Sequence, residues 1–129
     1  CGEFGIDFET GMRLTAGLGG GMGRLREVCG AVSGMSLIAG FLAPCPDPAV
    51  RQAKAATYAL VQEFAERFRA ENGAIVCREL LGLACRKEEP VPAERTAEYY
   101  KKRPCVELVA CAARIVGEYL QRQNAAPEK

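Results

Sequence analysis

The chain has no histidine. Its absence excludes Ser-His-Asp and Cys-His nucleophile pairs, Rieske-type ligation and most catalytic zinc sites. The spacings Cys-x-x-Cys, Cys-x-Cys and Cys-x-x-Cys-His are missing too, which removes zinc ribbons, thioredoxin-type sites and covalent haem attachment. There is little net charge: +1, with both signs interspersed, so nucleic acid is not an expected partner. No apolar run is long enough for a membrane. The strongest, Ala31 to Ala43, spans roughly 13 residues and is broken by Ser33, Gly34, Ser36 and Gly40, whereas a membrane span needs about 20.

What the chain does have is sulfur and glycine. Its seven cysteines exceed what packing requires, and an odd number cannot all pair within the chain. With no imidazole present, a metal would be held mainly by thiolate, and soft sulfur sets select iron–sulfur clusters, zinc or Cu(I). Cysteines not committed to disulfides, with no secretory signal in the sequence, read as a reducing cytoplasm. The 129 residues form one domain, large enough to bury a core without disulfide support.

Five glycines in seven residues make the run Gly17-Leu18-Gly19-Gly20-Gly21-Met22-Gly23. It matches neither the dinucleotide-binding nor the P-loop template, and no strand precedes it. It reads as a tight crossing where only glycine fits, which also suits backbone wrapping a cofactor. Just beyond it, Cys29 opens an apolar helical run. Cys77 and Cys105 repeat the arrangement, each at a predicted helix start and each near an arginine (Arg24 and Arg26, Arg78, Arg103). Free N–H groups and the positive dipole end at such a position favour thiolate over thiol. These three cysteines are therefore expected to converge on one site, with Gly19, Gly20, Gly21, Gly23 and Gly30 letting backbone approach it. The arginines read most simply as solvated charges, and alternatively as partners of the thiolates. Cys111 reads as a buried small hydrophobe and Cys45 and Cys85 as incidental. Met12, Met22 and Met35 read as core.

The pattern along the chain is all-α: a compact bundle of about five helices with the glycine-rich loop before the second. Asp7 is expected to cap the first helix, which Gly17 stops. The second runs from about Glu27 to Leu42, and its glycines at 30, 34 and 40 allow close approach of another group. The third follows Asp47 as cap and Pro48 at the first helical position, carries Ala53, Thr57, Leu60, Val61, Phe64 and Phe68 on one face, and closes at Asn72-Gly73. A short helix over 77–83, an exposed connection over 86–92 and a polar segment over 93–102 come next. The last helix, about Pro104 to Arg122, carries Leu108, Val109, Ala112, Ile115, Val116 and Tyr119 on one face, before a frayed tail over 124–129.

The segments GLGGGMGRLREVCGAVSG, FRAENGAIVCRELLG and RPCVELV resemble the C_GCAxxG_C_C family of redox-active proteins. Its CGAxxG hallmark is met by Cys29-Gly30-Ala31-Val32-Ser33-Gly34, and the likeness extends over roughly residues 1–120. The resemblance implies a helical domain with four characteristic cysteines, found mostly in anaerobic bacteria and archaea. A related pattern in split-Soret cytochromes accompanies an iron–sulfur cluster. Carried over residue by residue, three of the four cysteines are Cys29, Cys77 and Cys105. The fourth would belong to a helix upstream of Cys1, so residues 1–129 are expected to lack an N-terminal helix of the domain. The expected function is electron transfer through a thiolate-ligated iron–sulfur cluster, with a redox partner protein and with a homodimer left open. Two alternatives stand beside it: a metal-free thiol–disulfide protein, and an all-α interaction module whose cysteines only pack. No acid/base pair or substrate pocket identifies an enzymatic reaction.

Overall fold

The computed structural model describes residues 2–84 and 87–126. The expectations for Cys1, Cys85, Arg86 and residues 127–129 lie outside the described residues. The first helix, α1 (Phe8–Thr15), starts where its cap dictates. The Asp7 carboxylate accepts hydrogen bonds from the Thr10 N–H at 2.9 Å and the Thr10 hydroxyl at 2.7 Å. Those bonds hold the Asp7 carboxyl below the ordinary carboxylate range. A 3₁₀ turn (Ala16–Leu18) and a single interrupted turn, α2 (Gly19–Met22), follow.

The next helix, α3 (Gly30–Leu42), begins three residues later than the apolar pattern predicts. The backbone of Glu27 to Cys29 is otherwise engaged, in an antiparallel bridge between Val28 and Val76. Helix α4 (Arg51–Asn72) also starts late. Asp47 closes a turn on itself, its carboxylate accepting the Ala49 N–H at 2.9 Å and its carbonyl the Val50 N–H at 3.0 Å, so Pro48 lies outside the helix. At the other end Gly73, with φ 86°, donates to the Arg69 carbonyl as a left-handed cap. Two short helices, α5 (Cys77–Leu80) and α6 (Ala97–Lys102, capped by Thr96), lead to α7 (Cys105–Ala125). Pro104 sits at the N-cap rather than inside α7, which puts Cys105 at the first helical position, and α7 runs three residues past the expected Arg122.

Three helices make the core. Val32, Met35 and Ala39 of α3, Leu60, Phe64 and Phe68 of α4, and Leu108, Ala112, Ile115 and Val116 of α7 form one buried cluster. Each large apolar side chain buried here contributes about 1.5–3 kcal/mol. Tyr119 meets Phe64 edge-on at 5.4 Å. Met35 belongs to this core, but Met12 and Met22 do not: they are 56% and 55% exposed. Residues of α1 contribute no buried side chain and instead line, with α3 and α7, an open apolar groove of about 510 Å³. Val109, expected inside, is exposed on the wall of that groove. The chain is all-α: among the described residues there is no strand beyond the one bridge, and no helix is long and apolar enough to cross a membrane.

Candidate functional site: a sulfur-bearing bridge

The bridge that delays α3 builds the site. The Cys29 N–H donates to the Ile75 carbonyl at 2.8 Å and the Cys77 N–H to the Glu27 carbonyl at 2.6 Å, with Val28 opposite Val76 between them. Side chains alternate across an extended backbone, so Val28 and Val76 point to one side and Cys29 and Cys77 to the other. Glu27 lies opposite Cys77 and Ile75 opposite Cys29, which makes the two cysteines diagonal neighbours. Such pairs are typically about 7–8 Å apart. Cys105 opens α7, which packs against α3, the helix that Cys29 caps.

Burial pushes the Cys29 thiol above its ordinary value, the Ala31 and Val32 N–H groups pull it back in part, and both Cys77 and Cys105 push it further up. The sequence expectation that a helix start makes Cys29 a ready thiolate is therefore overturned, because desolvation outweighs the helix end. The three thiols differ in access: Cys77 is 7% exposed, Cys29 is intermediate and Cys105 lies open to solvent.

The glycine loop is packed onto this frame. A Cβ at Gly21 would lie 2.6 Å from Cys77 Cβ and 2.8 Å from the Glu27 nitrogen, so only glycine lets the loop cross there. A Cβ at Gly30 would lie 2.7 Å from the Leu18 carbonyl oxygen, and one at Gly20 would lie 3.0 Å from Arg24 Cγ. Gly19 and Gly23 meet nothing within 4 Å, nor do Gly34 and Gly40, so their expected close approach is not found. The space that Gly20, Gly21 and Gly30 leave is filled by the protein's own atoms. The loop is a tight crossing held by bonds from the Arg26 N–H to the Gly20 carbonyl and from the Glu27 N–H to the Gly21 carbonyl.

Arg26 takes the alternative role foreseen for these arginines, as partner of a thiol, though of Cys77 rather than of the nearby Cys29. Its side chain is 4% exposed, not solvated, and its Nη1 donates to Cys77 Sγ at 3.6 Å. Nε donates to Glu88 Oε2 at 2.9 Å, and Nη2 bonds the same oxygen. Burial opposes the Arg26 charge, but the bonds to Glu88 and Cys77 more than offset it. Glu88 is held below the ordinary carboxylate range, chiefly by its bond to Arg26. Arg78 instead bonds Glu27 and the Arg26 carbonyl, and Arg103 stacks over Tyr99 at 5.6 Å.

The remaining thiols stand elsewhere. Cys111, half-buried against the core, also contacts Asn72, Glu71 and Arg114, so it is not a purely apolar filler. Cys45 caps its own loop by bonding the Asp47 carbonyl at 3.4 Å.

As donors, three thiols without imidazole suit a thiophilic group. Among the described residues, no three Cys, Asp or Glu side chains close around a point as one bound ion requires. No curated protein and no solved structure matches the chain. One family model does match, over residues 1–119, and its description is "Putative redox-active protein (C_GCAxxG_C_C)". With residues 1–119 matched and Cys29-Gly30-Ala31 at the bridge, the chain belongs to this redox-active family.

Proposed function

We propose that the protein transfers electrons through an iron–sulfur cluster ligated by Cys29, Cys77 and Cys105, with a fourth ligand from outside these three. The observation that carries this reading is the placement of Cys29 and Cys77 as diagonal neighbours on one face of the bridge, with Cys105 acting electrostatically on Cys29. A direct disulfide needs Cα atoms within about 4.4–6.8 Å and sulfurs aimed at each other, which a diagonal pair meets only if backbone moves. When bound, the cluster supplies a one-electron couple whose potential depends on net charge, hydrogen bonds to sulfur and solvent access. The chain's own residues supply the rest. Gly21 keeps the loop down on Cys77, the bridge fixes the spacing of two ligands, and exposed Cys105 marks the edge from which a redox partner protein exchanges electrons.

The test is anaerobic purification or reconstitution with iron and sulfide, read by visible absorption, iron and sulfide content and electron paramagnetic resonance. Wild-type protein is expected to retain a cluster, and Cys29→Ser, Cys77→Ser and Cys105→Ser each to lose it while Cys111→Ser keeps it. Wild type that binds no iron refutes the reading.

A second reading, metal-free thiol–disulfide exchange, is favoured by one observation: Cys105 is open to a partner's disulfide. Trapping of a mixed disulfide through Cys105 in iron-free protein would select it.

A further inference from the structure

We propose, building on the cluster reading, that Arg26 and Glu88 form a charge balance acting on the Cys77 sulfur, Arg26 as a positioning residue that favours the more negative, reduced state and Glu88 as its counterweight. Arg26 is the buried charged side chain among the described residues, and every buried side-chain nitrogen or oxygen there has a hydrogen-bond partner. A guanidinium is a fork of five donors. Here Nε and Nη2 engage Glu88 and Nη1 is turned to Cys77 Sγ, so one cation serves a carboxylate and a sulfur at once.

Arg24 is a second cation on the same carboxylate, its Nη2 2.9 Å from Glu88 Oε2. The backbone keeps the group in register: the Glu88 N–H donates to the Arg24 carbonyl at 3.1 Å, and Arg24 Nε to the Glu89 carbonyl at 2.7 Å. Reduction adds one electron, delivered by a reduced partner protein, and neither makes nor breaks a bond. It adds negative charge beside a buried cation, where screening by water is weak. Removing the cation should disfavour the reduced form. Removing the carboxylate should favour it.

The experiment is redox potentiometry of the cluster-loaded full chain, with dithionite as reductant. Arg26→Gln is expected to lower the ratio of reduced to oxidised protein at a fixed ambient potential about tenfold, which is about 59 mV for one electron. Glu88→Gln is expected to move the potential the opposite way, and Arg26→Lys to stay nearer to wild type than Arg26→Gln. Displacements of the same sign for Arg26→Gln and Glu88→Gln, or none, overturn the inference. If Arg26→Gln does not fold, Glu88→Gln decides alone, a positive displacement supporting the balance and a zero or negative one overturning it. Wild type that takes up no iron refutes the proposed function instead. The Arg26–Cys77 contact is then read in the iron-free chain by a double-mutant cycle of Arg26→Gln and Cys77→Ala in urea. Coupling supports it, and simple additivity overturns it.

Discussion

Two cysteines of this fold each lie beside an arginine, and the settings could hardly differ more. Arg114 Nη2 reaches Cys111 Sγ at 3.7 Å, and Arg26 Nη1 reaches Cys77 Sγ at 3.6 Å. The first pair sits three residues apart on α7, so helical periodicity alone brings it together. Its arginine is 48% exposed and shared with Glu71 and Glu118. The second pair is separated by 51 residues, its arginine is 4% exposed, and its loop holds Arg24 and Arg26 at φ 66° and 59°. Left-handed backbone at such residues costs about 1–2 kcal/mol each. It persists only where surrounding contacts over-determine it, here the bridge, Glu88 and the Gly21 crossing. Equal distances conceal unequal design: one pair follows from helix geometry, the other from an assembly of three segments.

The sharpest break of this comparison is at Gly21. Gly21→Ala places a Cβ 2.6 Å from Cys77 Cβ on backbone at φ 68°. Strain and overpacking together should destabilise the protein by about 3 kcal/mol. Gly19→Ala, where the added atom meets nothing within 4 Å, should change stability by less than about 0.5 kcal/mol. Urea unfolding of both variants measures the difference. Equal effects would mean that the loop is not packed on the cysteine.

The arginines themselves come next. Arg26→Ala should cost about 2 kcal/mol, below the usual loss for breaking a buried pair because Glu88 is 24% exposed and keeps Arg24. Arg114→Ala should cost no more than about 1 kcal/mol, as exposed pairs do. If Arg114→Ala is the more damaging of the two, burial is not what separates the pairs.

That contrast also explains what could be read from the residues. Helix existence, the Asp7 cap, the Asn72-Gly73 stop and the Leu60, Phe64, Phe68 face are local patterns, and local patterns are visible in sequence. The α3 and α4 starts were misplaced because backbone bonds to Ile75 and within the Asp47 turn override apolar periodicity. Arg26 could be read as a solvated charge or as a thiolate partner, and Glu88 only as part of an exposed connection, since nothing local distinguishes a buried ion pair made across 62 residues. One signal was available: Val28-Cys29 and Val76-Cys77 repeat a β-branched residue before cysteine, which suits a short extended pairing.

Thiol access gives a smaller but cleaner contrast. Iodoacetamide on iron-free protein should label Cys105 first, half-buried Cys111 more slowly, and Cys77 only as the site opens. Mass spectrometry of timed samples reads the order. Early labelling of Cys77 would mean that the loop does not seal the bridge.

The weakest expected effect concerns pH, and it separates the two regions by sign. Cys29, at the bridge, has its thiol raised by burial first and by Cys77 and Cys105 after that. A folded-state value above the unfolded one, about 8.5, means that the folded chain holds its proton more tightly. The resulting stability is complete below that pH and is lost as pH rises through the higher folded value. Glu118, on the α4–α7 seam, is lowered by its bonds to Arg114 and then Arg67. Its stabilisation is present above the unfolded value, about 4.3, and is lost as pH falls through the lower folded value. Thermal unfolding across pH should therefore show Cys29→Ala flattening the alkaline limb and leaving the acid limb, with Glu118→Gln doing the reverse. A Cys29→Ala variant whose alkaline limb matches wild type would mean that the bridge does not bury its thiol.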